Sequence, residues 1–173
     1  MNSVVKFCET IKSRSIYIDY IICNGGIMMT PRKVTEDGQE AQLAINYLSH
    51  CLMIWLLLPK INRTESDGSV DPHRKSRIVL VSSVAHESAH YINFDDMTYQ
   101  KYYSPHHAYS QSKTAMIMLA IKMNEYFNEH QLSNYITINS LHPGLCWTDL
   151  MNSFSLPHYW FIKLFPVKRV SLI

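Results

Sequence analysis

Arg77-Ile78-Val79-Leu80-Val81-Ser82-Ser83 is the stretch on which the fold turns. A short, unbroken apolar run of this kind predicts a strand buried on both faces of a parallel sheet. Upstream, Ile16-Tyr17-Ile18-Asp19-Tyr20-Ile21-Ile22-Cys23 is rich in β-branched and aromatic residues and stops at Asn24-Gly25-Gly26, so it predicts a strand running into a turn. Downstream, Tyr135-Ile136-Thr137-Ile138-Asn139-Ser140-Leu141 predicts a third strand, closed by Pro143-Gly144. Helical patterns fill the spaces between. Residues 3–14 place Val4, Val5, Phe7, Cys8 and Ile11 on one side of a helix. Residues 36–60 predict one long helix stopped near Pro59, and residues 108–128 predict another. Polar residues 62–77 and the irregular stretch 84–107 predict loops. The alternation of strands and helices argues for an α/β fold with a parallel sheet and right-handed crossovers.

Composition narrows the function classes. The chain has 173 residues, 47% hydrophobic and 17% charged, with a net charge of +2. That excludes a disordered chain and gives nucleic-acid binding no electrostatic support. The cysteines Cys8, Cys23, Cys51 and Cys146 form no CxxC pair, so free thiols in a reducing compartment are expected. Residues 1–10 lack a signal-peptide core. The uncharged stretch 41–59 carries Gln42, Asn46, Ser49 and His50, which favours a buried helix over a membrane span. The Asn62-Arg63-Thr64 triplet matches a glycosylation sequon of a kind common by chance. Gly25, Gly26, Gly38, Gly68 and Gly144 make neither a GxGxxG nor a Walker A loop.

The chemistry-bearing motif is Tyr109-Ser110-Gln111-Ser112-Lys113. At i and i+4, Tyr109 and Lys113 share one helix face. A phenol titrates near 10, and a neighbouring ammonium lowers that value, so the pair can act as a general acid/base. Taken alone, the spacing is a weak signal, and an exposed Tyr–Lys pair on a helix is the much commoner reading. Its position after one strand ending in Ser82-Ser83 and before another ending in His142-Pro143-Gly144 brings it to the carboxyl edge of the sheet, where ligands of open α/β folds collect.

With those motifs in order, the chain resembles the short-chain dehydrogenases/reductases, in particular the retinol-dehydrogenase-like branch. The resemblance runs over about residues 3–165 and rests on Cys23-Asn24-Gly25-Gly26-Ile27-Met28-Met29, Leu43-Ala44-Ile45-Asn46-Tyr47-Leu48-Ser49-His50, Ile78-Val79-Leu80-Val81-Ser82-Ser83, residues 103–113 and Leu141-His142-Pro143-Gly144. It implies a Rossmann-like, doubly wound parallel sheet and a NAD(P)-dependent oxidoreductase that interconverts an alcohol and a carbonyl. It places the catalytic roles on Asn46, Ser83, Tyr109 and Lys113. Tyr109 would move the proton, Ser83 would bond the substrate oxygen, and Asn46 would hold a water that links Lys113 to solvent. Cofactor contacts would come from Asn24, Gly25, Gly26, Tyr109, Lys113, Pro143, Gly144 and Thr148. The cofactor would be NAD or NADP, with no metal. The implied partners are a lipophilic retinoid- or polyprenol-like alcohol or aldehyde, a second copy of the chain, and a peripheral contact with the endoplasmic reticulum membrane, in an intracellular setting.

The chain departs from the family pattern in two places. Cys23-Asn24-Gly25-Gly26 stands where the pattern has Asn-Asn-Ala-Gly, which adds backbone freedom at the turn. The glycine-rich TGxxxGxG half has no counterpart, and the final strand of the family is missing as well. Residues 1–173 are therefore expected to be a partial domain, the catalytic half, with the strand ending at Cys23 as a bare sheet edge. An inactive relative serving as a binding module is the alternative reading. Two features stay outside the resemblance. His86-Glu87-Ser88-Ala89-His90 matches the HExxH zinc signature but lacks a surrounding helical pattern and a third ligand. The aromatic stretch Phe154 to Phe165 reads as a substrate lid or a membrane-touching segment.

Overall fold

A computed structural model describes residues 1–14, 16–61, 75–89 and 91–144. Thr148, Cys146, His90, the Asn62 sequon and the aromatic stretch Phe154 to Phe165 lie outside the described residues.

Helix α1 (Asn2–Lys12) opens the chain. Cys8 is buried and Val4 and Ile11 pack on the core beside it, at the i, i+4, i+7 spacing of one helix face. Phe7, expected on that face, is exposed because its position falls toward the edge of the stripe. Strand β1 (Tyr20–Cys23) follows and is shorter than its β-rich sequence suggests. The paired register with the next strand starts at Tyr20; just before it the Asp19 carbonyl accepts from Arg77 N at 2.8 Å and the Ile18 N–H turns away to the Lys60 carbonyl at 2.9 Å.

Helix α2 runs over Ala41–Ile61. It starts later than the pattern predicts because the Glu40 carboxylate caps it, accepting from Gln42 N at 3.0 Å and Leu43 N at 2.8 Å. By length and composition α2 is apolar enough to cross a membrane. Here Ile54, Leu57 and Ile61 are buried in the core instead. Over Ala44–Leu48 the helix loosens into a single π turn, closed by the Ser49 N–H on the Ala44 carbonyl. Such turns are uncommon and gather at functional sites.

Strand β2 (Ser76–Val81) is followed by two short 3-10 turns, Val84–Ser88 and Phe94–Asp96. Helix α3 (Pro105–Glu129) begins earlier than expected. Pro105 stands in its first turn and the Ser104 hydroxyl accepts from His107 N at 3.3 Å. His106 and His107, read from sequence as loop, therefore lie on the helix. Strand β3 (Ile136–Leu141) completes the described chain.

The strands form a parallel sheet in the order β1-β2-β3. The register pairs Cys23 with Leu80 and Leu80 with Ser140, so the carboxyl ends of all three strands lie along one edge. Ile78, Leu80, Ile136 and Ile138 point into the same core as Met116, Met123 and Phe127 of α3. Each such side chain contributes about 1.5–3 kcal/mol by leaving water. Burial along β2 alternates, with Val79 and Val81 only half-buried, so the described residues cover one face more fully than the other. On β1, Tyr20 and Ile22 are exposed, and this strand is the sheet edge among the described residues.

Candidate active site

The carboxyl edge of the sheet brings together Asn24-Gly25-Gly26 after β1, Ser82-Ser83 after β2 and His142-Pro143-Gly144 after β3. Helices α2 and α3 add Asn46, Tyr109 and Lys113. Tyr109 and Lys113 are buried, at 4% and 5% exposure, which excludes the reading of an exposed surface pair.

Lys113 is held from below. Its Nζ donates to the Val81 carbonyl at 2.9 Å and lies 5.7 Å from the centre of the Tyr109 ring. Its backbone carbonyl accepts from the Ser82 hydroxyl at 2.8 Å. The two serines thus divide the work: Ser82 is buried and anchors α3, while Ser83 faces the phenol. Burial pushes the Lys113 ammonium down to about 8. The Tyr109 phenol moves the other way. Burial raises it, and a hydrogen bond with the Ser83 hydroxyl offsets only part of that rise. From the Tyr–Lys spacing alone, the ammonium is expected to lower the phenol. In the fold, desolvation outweighs that effect, and the Lys113 ammonium is turned onto Val81. The Ser83 hydroxyl also accepts from Ala85 N at 3.2 Å, so a turn cap and a site role coexist in one side chain.

Asn46 is fully buried. A lone asparagine in a helix is usually solvated, but this one sits in the π turn and satisfies three partners. Its Oδ1 accepts from Ile27 N at 2.8 Å, and its Nδ2 donates to the Ile27 carbonyl and the Ser112 hydroxyl, each at 2.9 Å. It clamps the strand-end turn to α3. Gly26 is the residue that allows this, because a Cβ there would meet Asn46 Oδ1 at 2.9 Å and lie 3.8 Å from Lys113 Nζ. Gly144 takes a φ of 83°, the left-handed region that favours glycine. His142 Nδ1 accepts from Val84 N at 3.1 Å and ties the β3 end to the β2 end.

Several buried polar residues beside the site carried no sequence signal. Gln42 accepts from Met29 N at 3.0 Å and donates to the Tyr103 hydroxyl at 2.9 Å and the Pro105 carbonyl at 3.0 Å. Gln111 donates to the Tyr99 hydroxyl and accepts from Asn93 N at 2.5 Å. Together they fasten the irregular stretch before α3 over the helix start. Only their periodicity on buried helix faces could have marked them. His86, from the HExxH match, places Nδ1 2.6 Å from the Ser83 carbonyl on a 3-10 turn rather than on a helix. Among the described residues no group of His, Cys, Asp or Glu is arranged to hold a metal ion.

The sequence pattern of the short chain dehydrogenase family matches residues 1–157. The chain belongs to that family. Among its relatives, human polyprenol dehydrogenase is 34% identical over 150 residues, covering 87% of this chain and 43% of the relative. Human retinol dehydrogenase 13 is 34% identical over 151 residues, covering 87% of this chain and 41% of the relative. The chain therefore spans less than half the length of these relatives. A crystal structure of an uncharacterised protein from Mycobacterium paratuberculosis superposes with a TM-score of 0.67 at 31% identity, over 88% of this chain and 50% of that one. The Rossmann-like α/β architecture of a short chain dehydrogenase is thus common to sequence and structure, in a partial chain.

Proposed function

We propose that this short chain dehydrogenase is the catalytic half of an NAD(P)-dependent oxidoreductase that interconverts an alcohol and a carbonyl on a retinoid- or polyprenol-like substrate. The observation that carries the reading is the buried Tyr109–Lys113 pair, with Ser83 on the phenol, at the carboxyl edge of a parallel sheet. Because burial raises the Tyr109 phenol, it is protonated at neutral pH and suited to donate to a carbonyl oxygen. Ser83 is placed to bond the same oxygen. The Lys113 ammonium, at about 8, is the group from which the phenol regains its proton.

The residues fit the nicotinamide end of the cofactor. Gly25 and Gly26 leave backbone open beside Lys113 Nζ, and a Cβ at Gly26 would close that space. Asn24, Gly25, Gly26, Tyr109, Lys113, Pro143 and Gly144 are the described residues that would hold it. When bound, the nicotinamide supplies or accepts the hydride. The apolar substrate class rests on the likeness to polyprenol dehydrogenase and retinol dehydrogenase 13.

Titration with NADH and NADPH, read by protein fluorescence, tests cofactor binding. The absence of binding at millimolar cofactor would favour a non-enzymatic binding module. In turnover assays with a polyprenyl or retinoid aldehyde, Tyr109→Phe should abolish reduction while most cofactor binding is kept, because the other cofactor residues remain. Retained turnover would overturn the mechanism.

A further inference from the structure

Rungs from β2 to β3 recur at every second residue. Ser76 N donates to the Tyr135 carbonyl and Ser82 N to the Leu141 carbonyl, each at 2.8 Å. In that rhythm the next rung would run from Val84 N to the Pro143 carbonyl. The Val84 N–H goes instead to the side chain of His142, reaching Nδ1 at 3.1 Å. The chain is leaving the sheet at this point: Pro143 has no N–H, and Gly144 takes the left-handed region. An imidazole thus supplies the rung that the backbone gives up. Its acceptor role fixes its state. Nδ1 carries no proton, so the ring is neutral and its N–H is on Nε2.

Ser83 stands between these two rungs. Before it, Ser82 is held twice, by its N–H on Leu141 and by its hydroxyl, which donates to the Lys113 carbonyl at 2.8 Å. After it, Val84 is held by His142. Ser83 itself is extended, and its carbonyl accepts from His86 N at 3.1 Å and His86 Nδ1 at 2.6 Å. The two imidazoles therefore hold opposite tautomers, His86 donating from Nδ1 and His142 accepting there. With its neighbours pinned on both sides, Ser83 keeps its hydroxyl on the Tyr109 phenol.

We propose that His142 is a positioning residue for the reaction: its neutral ring closes the β2–β3 ladder beyond Ser82 and so holds the Ser83 hydroxyl on the Tyr109 phenol. The proposal rests on the oxidoreductase reading, in which Ser83 and Tyr109 bond the same substrate oxygen. His142 is exposed, so water competes for the Val84 N–H, and the rung acts by direction more than by strength. An asparagine at this place would keep the acceptor, because its Oδ1 is as many bonds from Cβ as Nδ1 is. A leucine would fill the space without one.

The test uses the whole chain without cofactor or substrate, and NMR reads it. In the native chain a coupling through the hydrogen bond should link Val84 N to His142 Nδ1. His142→Leu should speed exchange of the Val84 amide about three- to tenfold, and His142→Asn should restore it. The amides of Leu80 and Ile138 should keep their native exchange in both variants, which shows that the fold is intact. The decisive signal is the Cζ ring carbon of labelled Tyr109, which senses the bond to the phenol. Ser83→Ala removes that bond and sets the size of the change. His142→Leu should move the signal in the same direction, and His142→Asn should leave it at its native position. A purely structural histidine would lower stability and leave Tyr109 unmoved. A missing coupling in the native chain, or a Tyr109 signal unmoved in either Ser83→Ala or His142→Leu, would overturn the proposal. Failure of the oxidoreductase reading is seen separately, in turnover.

Discussion

Gly26→Ala adds one methyl group where the site has no room for it. The new Cβ would lie 2.9 Å from Asn46 Oδ1 and 3.6 Å from Asn46 Cγ. A flexible side chain would step aside at little cost. Asn46 cannot, because its amide is held by Ile27 N at 2.8 Å, the Ile27 carbonyl at 2.9 Å and the Ser112 hydroxyl at 2.9 Å. Relief requires either a backbone shift of the strand-end turn or a rotation that breaks buried bonds. Overpacking of this kind costs about 1–3 kcal/mol, and each lost bond that leaves a buried group unpaired costs about 1–3 kcal/mol more. Taking the overpacking term with one lost bond gives about 2–6 kcal/mol. For a chain of this size each kcal/mol moves the midpoint by about 2–4 °C, so Tm should fall by at least about 4 °C. Thermal unfolding followed by circular dichroism measures it. The double variant Gly26→Ala with Asn46→Gly should lose less than the sum of the single changes, because the clash partner is gone. A Gly26→Ala midpoint within 1 °C of the native one (about the resolution of such a measurement) would refute the argument that Asn46 is immobile.

Beyond the Tyr109→Phe test, burial makes two more predictions. Lys113 titrates at about 8 in the fold, against 10.5 for the ordinary side chain. Between those values the unfolded chain holds the extra proton, so raising the pH through this window favours the fold. The penalty of burying the charge is full below pH 8 and absent above 10.5, and amounts to at most about 3 kcal/mol. Urea unfolding should show the native chain gaining on Lys113→Met across the window, and parallel pH profiles would contradict the shift. The buried Cys23 thiol, pushed up to about 12, should react with iodoacetamide about a thousandfold more slowly in the fold than in urea at equal pH. Mass spectrometry of the Cys23 peptide checks this, and equal rates would show the strand end to be open.

Much of the architecture was legible because strands and helices differ in the period of their apolar residues. The run Ile78 to Val81 and the alternation of Ile136 and Ile138 marked the sheet correctly. Element ends were less legible, because they depend on capping and on partners. Tyr20 begins β1 because that is where β2 offers a ladder, and Glu40 begins α2 through a carboxylate cap uncommon for its residue type. Phe7 looks apolar enough for the core and is left outside by its angle on the helix.

The sequence by itself determined the α/β order and the family, since ordered motifs such as Tyr109-to-Lys113 and Leu141-His142-Pro143-Gly144 survive as linear patterns. Only the tertiary structure decided the protonation chemistry. Whether the Lys113 ammonium lowers the Tyr109 phenol or burial raises it depends on which atoms each side chain meets, and Val81 takes the ammonium while the core desolvates both. The same holds for Asn46. Its spacing is visible in the chain, but burial within a π turn arises only when α2 docks on the ends of β1 and β2.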